Sequence, residues 1–373
     1  MTRRILVVDD EPGMLHAIQR VLGRSYELVC VSEAVEALDR ASRFQPDLAI
    51  LDVRMPGLDG FELSARLQQQ QPGIDVILMT GSTSDADQKL IRAIRQGAFY
   101  FVQKPFDREV LRTLVERCLE RRSLEEQSRA QLRRLEAELE EARQFQRSLL
   151  PPAEASIGPI RLAARWVPCT ELGGDFYDYA PLPGGGLAFL LADVSGHGAS
   201  AAMMTGVVKS AFQSCHREGY DPAAVVERIA AGIQRFDLHR FVTAICGRLH
   251  VAAGTLEYVN AGHPPALVWD AALGLRRLEP TGPLISPAVD LPWERPHVPV
   301  APGDSLLLYT DGIIEASGPA GQFGEERIER EIRRAPQGGA ALVDALLEAV
   351  TRFAAGRPLD DDLSLLTLRL TEL

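Results

Sequence analysis

The 373-residue sequence predicts two folded parts of different class joined by a long helix: a doubly wound α/β part, then an α+β part of sheets with helices outside. The first part is indicated over residues 1–119, where short apolar runs alternate with amphipathic segments. The helix is indicated over residues 120–150, where Glu, Arg, Gln and Leu dominate. The second part is indicated over residues 151–373, where strand patterns surround two helical patterns.

Five short apolar runs lead to the prediction for residues 1–119: RILVVD, YELVCV, DLAIL, DVILM and FYFVQ. Their Val, Ile and Leu content is nearly continuous, which is typical of strands buried on both faces of a sheet. The segments between them, such as GFELSARLQQQ, have the spacing of an amphipathic helix. We therefore expect five βα units that form a parallel sheet.

The predicted helix follows a shift in composition near Asp107, and Pro151 and Pro152 end it. Its leucines follow the alternating three and four spacing of a two-stranded coiled coil if a glutamine takes one seam position, although polar residues at 121, 125 and 128 interrupt the register. We expect a homodimer joined through this helix; the alternative is a helix packed against its own domain. The predicted seam consists of Leu132, Leu135, Leu139, Ala142, Gln146 and Leu149.

Strands and helices are both predicted over residues 151–373. The segments FVTAICGRLHV, TLEYVNAG, DSLLLYT and DLSLLTLRL have strand patterns, and residues 199–217 and 222–236 have helical spacing. Strands in runs with helices between them indicate packed sheets with helices outside.

Composition excludes several classes of protein. A formal net charge of −11 would repel a phosphate backbone, so nucleic acid is not expected as a partner, and a DNA-binding regulator would need a basic recognition helix that is missing here. The five cysteines are scattered without C-x-x-C spacing and predict reduced thiols. No apolar run approaches the roughly 20 residues of a membrane span, and the first run is too short for a signal peptide. We expect a cytoplasmic protein.

Charged and polar residues follow the predicted strands of the first part. Asp9 and Asp10 end the first strand and Asp52 the third, while Thr80 and Lys104 end the fourth and fifth. Strands of a parallel sheet share a direction, so these residues should gather at one edge. Carboxylates about 4 Å apart repel by roughly 4 kcal/mol at an effective dielectric near 20, and one lysine does not balance three of them. A Mg²⁺ ion is therefore expected, unless the aspartates are only turn and cap residues.

The motifs VVDDEP, LDVRMPGLDG, MTGS and VQKPF together resemble the response-regulator receiver domain, over about residues 3–119. The resemblance implies a flavodoxin-like (CheY-like) fold. It also implies that Asp52 accepts a phosphoryl group from a sensor histidine kinase, and that Asp9, Asp10 and Asp52 hold Mg²⁺. Thr80 and Lys104 would contact the phosphoryl group. The switch aromatic is Phe101 where many members have Tyr.

Lone acids recur in the second part, and their motifs are LGGDFYD, LADVSGHG, LYTDGI and LDDDLSLL. The acids flank predicted strands, glycines accompany several of them, and the motifs contain no Lys or Arg. Buried carboxylates without basic partners are tolerated when they coordinate metal. Two metal ions would also supply the large acceleration that hydrolysis of a phosphate monoester requires. His197 is a candidate proton donor, or a residue that only caps or positions the loop.

These motifs, with ARQFQRSLLP and NAGHPPALV, resemble the PPM (protein phosphatase 2C-like) fold and its RsbU/SpoIIE-type serine phosphatases, from about Gln144 onward. The resemblance implies a sandwich of two antiparallel sheets flanked by helices, with two Mn²⁺ or Mg²⁺ ions. The implied ligands are Asp193, the Val194 backbone carbonyl, Asp311 and Asp361, with Asp175 holding a water ligand. Many members have Gly in place of Val194.

The two resemblances together predict a bacterial two-component response regulator in which phosphorylation at Asp52 controls a protein serine/threonine phosphatase. The implied substrate is a phosphorylated anti-sigma-factor antagonist, so the output would be partner switching. The alternative is a catalytically inactive pseudophosphatase that acts as an adaptor and binds a regulator.

Overall fold

The structure is a computed structural model that describes residues 2–81, 100–196, 198–235, 240–270, 273–287, 292–335 and 338–372. The chain divides into two compact units, Met1–Leu135 and Glu136–Leu373. The division falls within a single helix. Each unit is described by itself.

The first unit is built on a five-stranded parallel sheet in the order β2-β1-β3-β4-β5. This is the flavodoxin-like strand order. The predicted doubly wound α/β fold is therefore confirmed, with all five predicted strands. The strands are β1 Arg4–Val8, β2 Glu27–Val31, β3 Leu48–Asp52, β4 Asp75–Thr80 and β5 Tyr100–Gln103. The described helices between them are α1 Pro12–Leu22, α2 Ala34–Phe44 and α3 Gly60–Gln70.

The apolar runs fold into this sheet because helices cover both of its faces. In β1, Leu6 and Val8 pack into one core cluster with the apolar residues of α2 and α3. Their neighbours Ile5 and Val7 pack into a second cluster on the opposite face. All four side chains are fully buried, so polar residues are tolerated only where a strand ends.

A single 42-residue helix, α4 Arg108–Leu149, follows β5. Its first turns pack in the core of the first unit through Leu111, Val115 and Cys118. The helix ends at Leu149, directly before the prolines that the sequence predicts as its stop. Neither this helix nor any other among the described residues has the length and apolar character needed to cross a lipid bilayer.

The second unit contains two antiparallel sheets, in the orders β14-β11-β10-β9-β8 and β13-β12-β15-β18-β7-β6. The first sheet consists of β8 Asp175–Pro181, β9 Leu187–Val194, β10 Val242–His250, β11 Thr255–Ala261 and β14 His297–Pro299. The second sheet consists of β6 Glu154–Ile157, β7 Ile160–Val167, β12 Ala266–Asp270, β13 Gly274–Leu278, β15 Ser305–Tyr309 and β18 Leu363–Leu370. The described helices are α5 Ala199–Ser214, α6 Pro222–Ile233, α7 Asp311–Glu315, α8 Glu325–Arg334 and α9 Ala340–Ala354, and a two-stranded ribbon is formed by β16 Ser317–Gly318 and β17 Gly321–Gln322.

Three apolar layers hold the second unit together. Phe189 of β9 and Leu308 of β15 meet in a cluster between the two sheets. Val208 of α5 packs on the outer face of the first sheet, and Leu346 of α9 packs on the outer face of the second. This arrangement confirms the predicted α+β sandwich with helices outside. The helix predicted over residues 199–217 is shorter, because a 3₁₀ turn begins at Cys215.

Candidate functional site

The acids of the first unit converge at the edge of the sheet, as predicted. Carboxylate oxygens of Asp9, Asp10 and Asp52 lie within 4.8 Å of one another. Lys104 Nζ lies 2.6 Å from Asp9 Oδ2 and 3.1 Å from Asp52 Oδ2. Burial raises the pKa of the Asp9 carboxyl, and Lys104 opposes this effect only in part. One lysine beside three carboxylates leaves a net negative pocket of oxygen donors that fits a hard divalent cation.

Thr80 lies at the end of β4, and Phe101 lies within the neighbouring strand β5. Thr80 is the last residue of β4 and is fully buried, and its carbonyl accepts a hydrogen bond of 2.6 Å from the Lys104 backbone N–H. Phe101 is half-buried in β5 and packs against the apolar cluster around Leu6 and Val8. The parallel register thus places Thr80 at the strand edge that carries the acids, whereas Phe101 lies two residues earlier, opposite Leu78 of β4.

The acids of the second unit also converge, although they come from motifs far apart in the chain. Asp175 of β8 and Asp193 of β9 are directly opposite each other in the antiparallel pair. Burial, followed by the charges of Asp311 and Asp361, raises the pKa of Asp193 to about 7. Burial and Asp361 likewise raise the pKa of Asp311. Like charges on directly opposite residues of paired strands destabilise the fold, so the stability of the fold does not explain why these acids lie together.

Asp175 is the most buried of these acids, and Thr310 orients it. The Thr310 hydroxyl donates to Asp175 Oδ2 at 2.7 Å and accepts from the Ser364 backbone N–H at 2.9 Å. Thr310 is fully buried, so these bonds are shielded from water. Burial, and next the Asp193 charge, raise the pKa of Asp175 well above its ordinary value. Sequence reasoning missed Thr310, although the residue stands directly before Asp311 in LYTDGI.

Asp361 and Asp362 have different surroundings. The buried Asp362 carboxylate accepts backbone bonds from Cys169 N–H at 2.8 Å and Gly174 N–H at 2.5 Å. Asp361 is half-buried and is one of the charges that act on Asp193. Asp362 therefore holds a loop through its carboxylate, while both Asp361 and Asp362 contribute charge at Asp193. The LDDDLSLL pattern alone does not distinguish these two residues, and the choice of Asp361 as a ligand comes from the family resemblance.

Val194 fits its position without strain. It is the last residue of β9, is fully buried and lies in regular strand pairing opposite Val242. Its N–H donates to the Gly174 carbonyl at 3.2 Å. A Cβ atom at Gly174 would lie 2.5 Å from the Val194 carbonyl oxygen, so glycine is required at 174 rather than at 194. Extended backbone suits a β-branched residue.

Cys169 lies beside these acids, a position that its isolated place in the sequence did not predict. Its sulfur and carboxylate oxygens of Asp361 and Asp362 lie within 4.8 Å of one another. Burial, followed by the charge of Asp362, raises the pKa of Cys169 to about 12, so the thiol is protonated at neutral pH. A protonated thiol is a poor metal ligand, and the donor set is effectively all oxygen. His197, the candidate proton donor, lies outside the described residues.

The donor set of the second unit fits divalent cations. Across the described part of the chain, no salt bridge joins a Lys or Arg to Asp175, Asp193, Asp311 or Asp361. Carboxylates that raise one another's pKa without a basic partner are stabilised when metal binds them in the ionised form. Carboxylate and carbonyl oxygens are the ligands preferred by Mg²⁺ and Mn²⁺.

Sequence comparison assigns families to both units. The family model for stage II sporulation protein E (SpoIIE) matches residues 183–371, just over half of the chain, and the model for the response regulator receiver domain matches residues 5–116. The Protein IcfG of Synechocystis sp. is 24% identical over 260 residues, covering 62% of this chain and 41% of that protein. The phosphoserine phosphatase RsbP of Bacillus subtilis is 30% identical over 183 residues, covering 48% of this chain and 45% of RsbP. The chain thus spans less than half the length of these relatives.

Two solved structures have the fold of the second unit. The SiaA-PP2C domain of Pseudomonas aeruginosa matches with a TM-score of 0.58 at 23% identity, covering 64% of this chain and 98% of that domain. The RsbU and RsbW domains of a Mycobacterium tuberculosis protein match with a TM-score of 0.50 at 24% identity, covering 59% of this chain and 63% of that structure's chain. The chain belongs to the SpoIIE family and carries a response-regulator receiver domain ahead of its PP2C-like domain.

Proposed function

We propose that this protein is a metal-dependent protein serine/threonine phosphatase that is controlled by phosphorylation of its receiver at Asp52. One observation carries the catalytic part of the proposal. Asp175, Asp193, Asp311 and Asp361 come from four separate motifs and share one pocket, in which burial and mutual repulsion raise the pKa values of three of them. Such an arrangement is typical of functional sites.

The residues have separate roles in this proposal. Asp193, the Val194 carbonyl, Asp311 and Asp361 would hold two Mn²⁺ or Mg²⁺ ions. When bound, such a pair of ions activates water and stabilises the attacking and leaving oxygens of an in-line displacement. Asp175, fixed by its hydrogen bond from Thr310, accepts a hydrogen bond from the attacking water. The new bond joins the water oxygen to phosphorus, the bond from phosphorus to the serine or threonine oxygen breaks, and a proton lost by the water ends on that leaving oxygen.

The proposed substrate is a phosphorylated anti-sigma-factor antagonist, and the proposed output is partner switching. The support comes from the relatives, since RsbP is described as a phosphoserine phosphatase and a matched structure joins RsbU and RsbW domains. The all-oxygen pocket is half-exposed at Asp193, Asp311 and Asp361, as access for a phosphoprotein requires.

The receiver would act as the phosphorylated input. Asp52 accepts the phosphoryl group from the phosphohistidine of a sensor kinase, so that a phosphorus–nitrogen bond breaks and a phosphorus–oxygen bond forms. Asp9 and Asp10, with Asp52, would hold Mg²⁺. Lys104 and Thr80 would contact the phosphoryl oxygens, and Phe101 would be the switch aromatic. The closeness of Lys104 Nζ to the Asp52 carboxylate supports this assignment.

The proposed organisation is a receiver at 1–119, a helical coiled-coil linker at 120–150 and a phosphatase domain at 151–373. Two chains would pair through the linker helix. The exposed leucines of this helix, Leu132, Leu135 and Leu139, support the pairing because 40–57% of their surface is free for a second helix.

Asp311→Asn tests the catalytic assignment. Mn²⁺-dependent hydrolysis of p-nitrophenyl phosphate by the purified chain should fall by at least about 10²-fold, because the variant loses a charged ligand. Asp344→Asn is the matched control, since Asp344 is a surface acid paired with Arg165, and it should keep full activity. A wild-type chain that binds Mn²⁺ but turns over neither this ester nor a phosphoserine protein would instead be an adaptor.

A further inference from the structure

We propose that Gln146, near the end of α4, is a positioning residue for the loop 169–175 beside the proposed metal site, an inference that rests on the proposed function. Gln146 Nε2 donates to the Gly173 carbonyl at 2.5 Å, and the Gly173 N–H donates to Gln146 Oε1 at 3.2 Å. Only 4% of Gln146 is exposed. This finding replaces the coiled-coil seam position predicted for Gln146, because its amide is committed to the loop.

The loop is held from its other side by Asp362. The Asp362 carboxylate accepts from the backbone N–H groups of Cys169 and Gly174. A Cβ atom at Gly173 would lie 2.8 Å from Asp362 Oδ2, so the loop passes close to this carboxylate without room for a side chain. Asp362 and Gln146 together therefore engage three backbone N–H groups and one carbonyl of the segment from Cys169 to Gly174, and Gln146 supplies both bonds at Gly173.

The position of Gly173 affects two groups of the proposed metal site, because the next two residues of the chain contact or carry them. The next residue, Gly174, accepts the Val194 N–H and lies against the Val194 carbonyl. The residue after it is Asp175, the first residue of β8. A shift of Gly173 would thus displace the Val194 carbonyl or the Asp175 carboxylate, and displacements well under 1 Å weaken metal sites.

Glutamine suits this contact for a chemical reason. Its side-chain amide offers one donor group and one acceptor, and these match the N–H and C=O of a single peptide residue. Methionine has a similar length but no equivalent donor, and asparagine has the same amide on a side chain one methylene shorter. Either replacement leaves the buried N–H and C=O of Gly173 without partners, which is unfavourable.

The backbone that carries Gln146 is itself anchored within the second unit. Lys209 Nζ donates to the Leu149 carbonyl at 2.6 Å and lies 3.3 Å from the buried Asp178 carboxylate. Arg143 Nε donates to the Glu171 carbonyl at 3.1 Å. The last turns of α4 are therefore held on both sides of Gln146, so that its amide meets Gly173 from a fixed direction.

Mn²⁺ affinity of the full chain tests the proposal. By calorimetric titration of folded protein, Gln146→Met should raise the Mn²⁺ dissociation constant about tenfold, which is about 1.4 kcal/mol. Gln144→Met is the matched control: Gln144 lies two residues earlier, is exposed, and its side chain bonds to Glu140 of the same helix among the described residues, so the control should bind as wild type does. A merely structural role would lower the melting temperature but leave the affinity of the folded protein unchanged.

Hydrogen–deuterium exchange of the peptide 169–175 in the metal-free protein gives a second readout. Exchange should be faster in Gln146→Met and in the gentler variant Gln146→Asn, and unchanged in Gln144→Met. Wild-type affinity and wild-type exchange in either Gln146 variant would overturn the inference, even if all variants were active. Both readouts need no turnover, so a chain that binds Mn²⁺ without hydrolysing any phosphoester would refute the proposed phosphatase and leave the role of Gln146 intact.

Discussion

At the end of β9, Asp193 lies directly opposite Asp175 and close to Asp311, with its own pKa raised to about 7. A carboxyl whose pKa is higher in the folded than in the unfolded chain binds its proton more tightly when folded. In metal-free protein the Asp193 carboxyl therefore lowers the free energy of unfolding as pH rises from 3.8, its ordinary pKa, to about 7, its pKa in the folded chain. Above about pH 7 the full decrease in the free energy of unfolding remains.

Asp193→Asn should accordingly stabilise the metal-free protein in a pH-dependent way. The melting temperature of the variant should exceed that of wild type by a few °C at pH 8, because a half-buried charge that faces other carboxylates is removed. The gain should shrink as pH falls through 7 and disappear near pH 4, where wild type carries the proton. Thermal unfolding in the presence of a chelator measures this difference at each pH.

Asp360→Asn is the control for the Asp193 variant, since it removes the same charge one residue from Asp361 at an exposed position. It should leave the melting temperature nearly unchanged over the same pH range. Equal stabilisation by Asp193→Asn at pH 8 and pH 5 would contradict the expected role of Asp193, because a general change in packing has no such pH dependence.

Individual residues also show what sequence reasoning could not reach. Asp175, Asp193 and Asp311 stand out because an acid beside a buried strand is unusual. Thr310 and Gln146 are not distinctive within their own sequence segments. Thr310 bonds to Asp175, which is 135 positions away in the chain, and Gln146 bonds to Gly173, which is 27 positions away. No local pattern records such partners, so only the folded chain identifies them.

Helices and strands were predictable from the sequence where a single spacing of apolar residues, helical or strand-like, dominated the segment. The five strands of the receiver sheet were predicted correctly because strands buried on both faces exclude polar residues along their length. The end of α4 was predicted from Pro151, which cannot continue a helix. The heptad pattern misplaced Gln146, because spacing alone does not distinguish a polar seam residue from one bonded to a neighbouring loop.

The exposed leucines of α4 support a prediction about assembly. Leu135→Glu should convert a dimeric chain into a monomer of 40.8 kDa in sedimentation experiments, because a charge in a coiled-coil seam is strongly unfavourable. Leu124→Glu is the matched control: Leu124 is 60% exposed on the same helix but lies outside the predicted seam. A monomeric wild type, or equal dissociation in both variants, would contradict pairing through this seam.

Across the whole molecule, the two acidic pockets differ in the basic residues that accompany them. In the receiver, Lys104 offsets part of the charge of Asp9 and Asp52. In the second unit, no salt bridge among the described residues joins a Lys or Arg to Asp175, Asp193, Asp311 or Asp361, so divalent ions would be the main positive charges available to a phosphate there. One chain would then contain both the unit that receives the phosphoryl signal and the unit that hydrolyses the substrate. Regulation would depend on the helix that both units share.

Asp52→Ala tests whether the two units are coupled. Treatment of the wild-type chain with acetyl phosphate and Mg²⁺ should change its rate of phosphoserine hydrolysis at least threefold, because phosphorylation that favours one of two states shifts their populations. Asp52→Ala should keep the untreated wild-type rate under both conditions, since it lacks the acceptor but retains the phosphatase pocket. Asp39→Ala, which removes an exposed acid paired with Arg43, should respond as wild type does. An unchanged rate in phosphorylated wild type would leave a phosphatase that the receiver does not control.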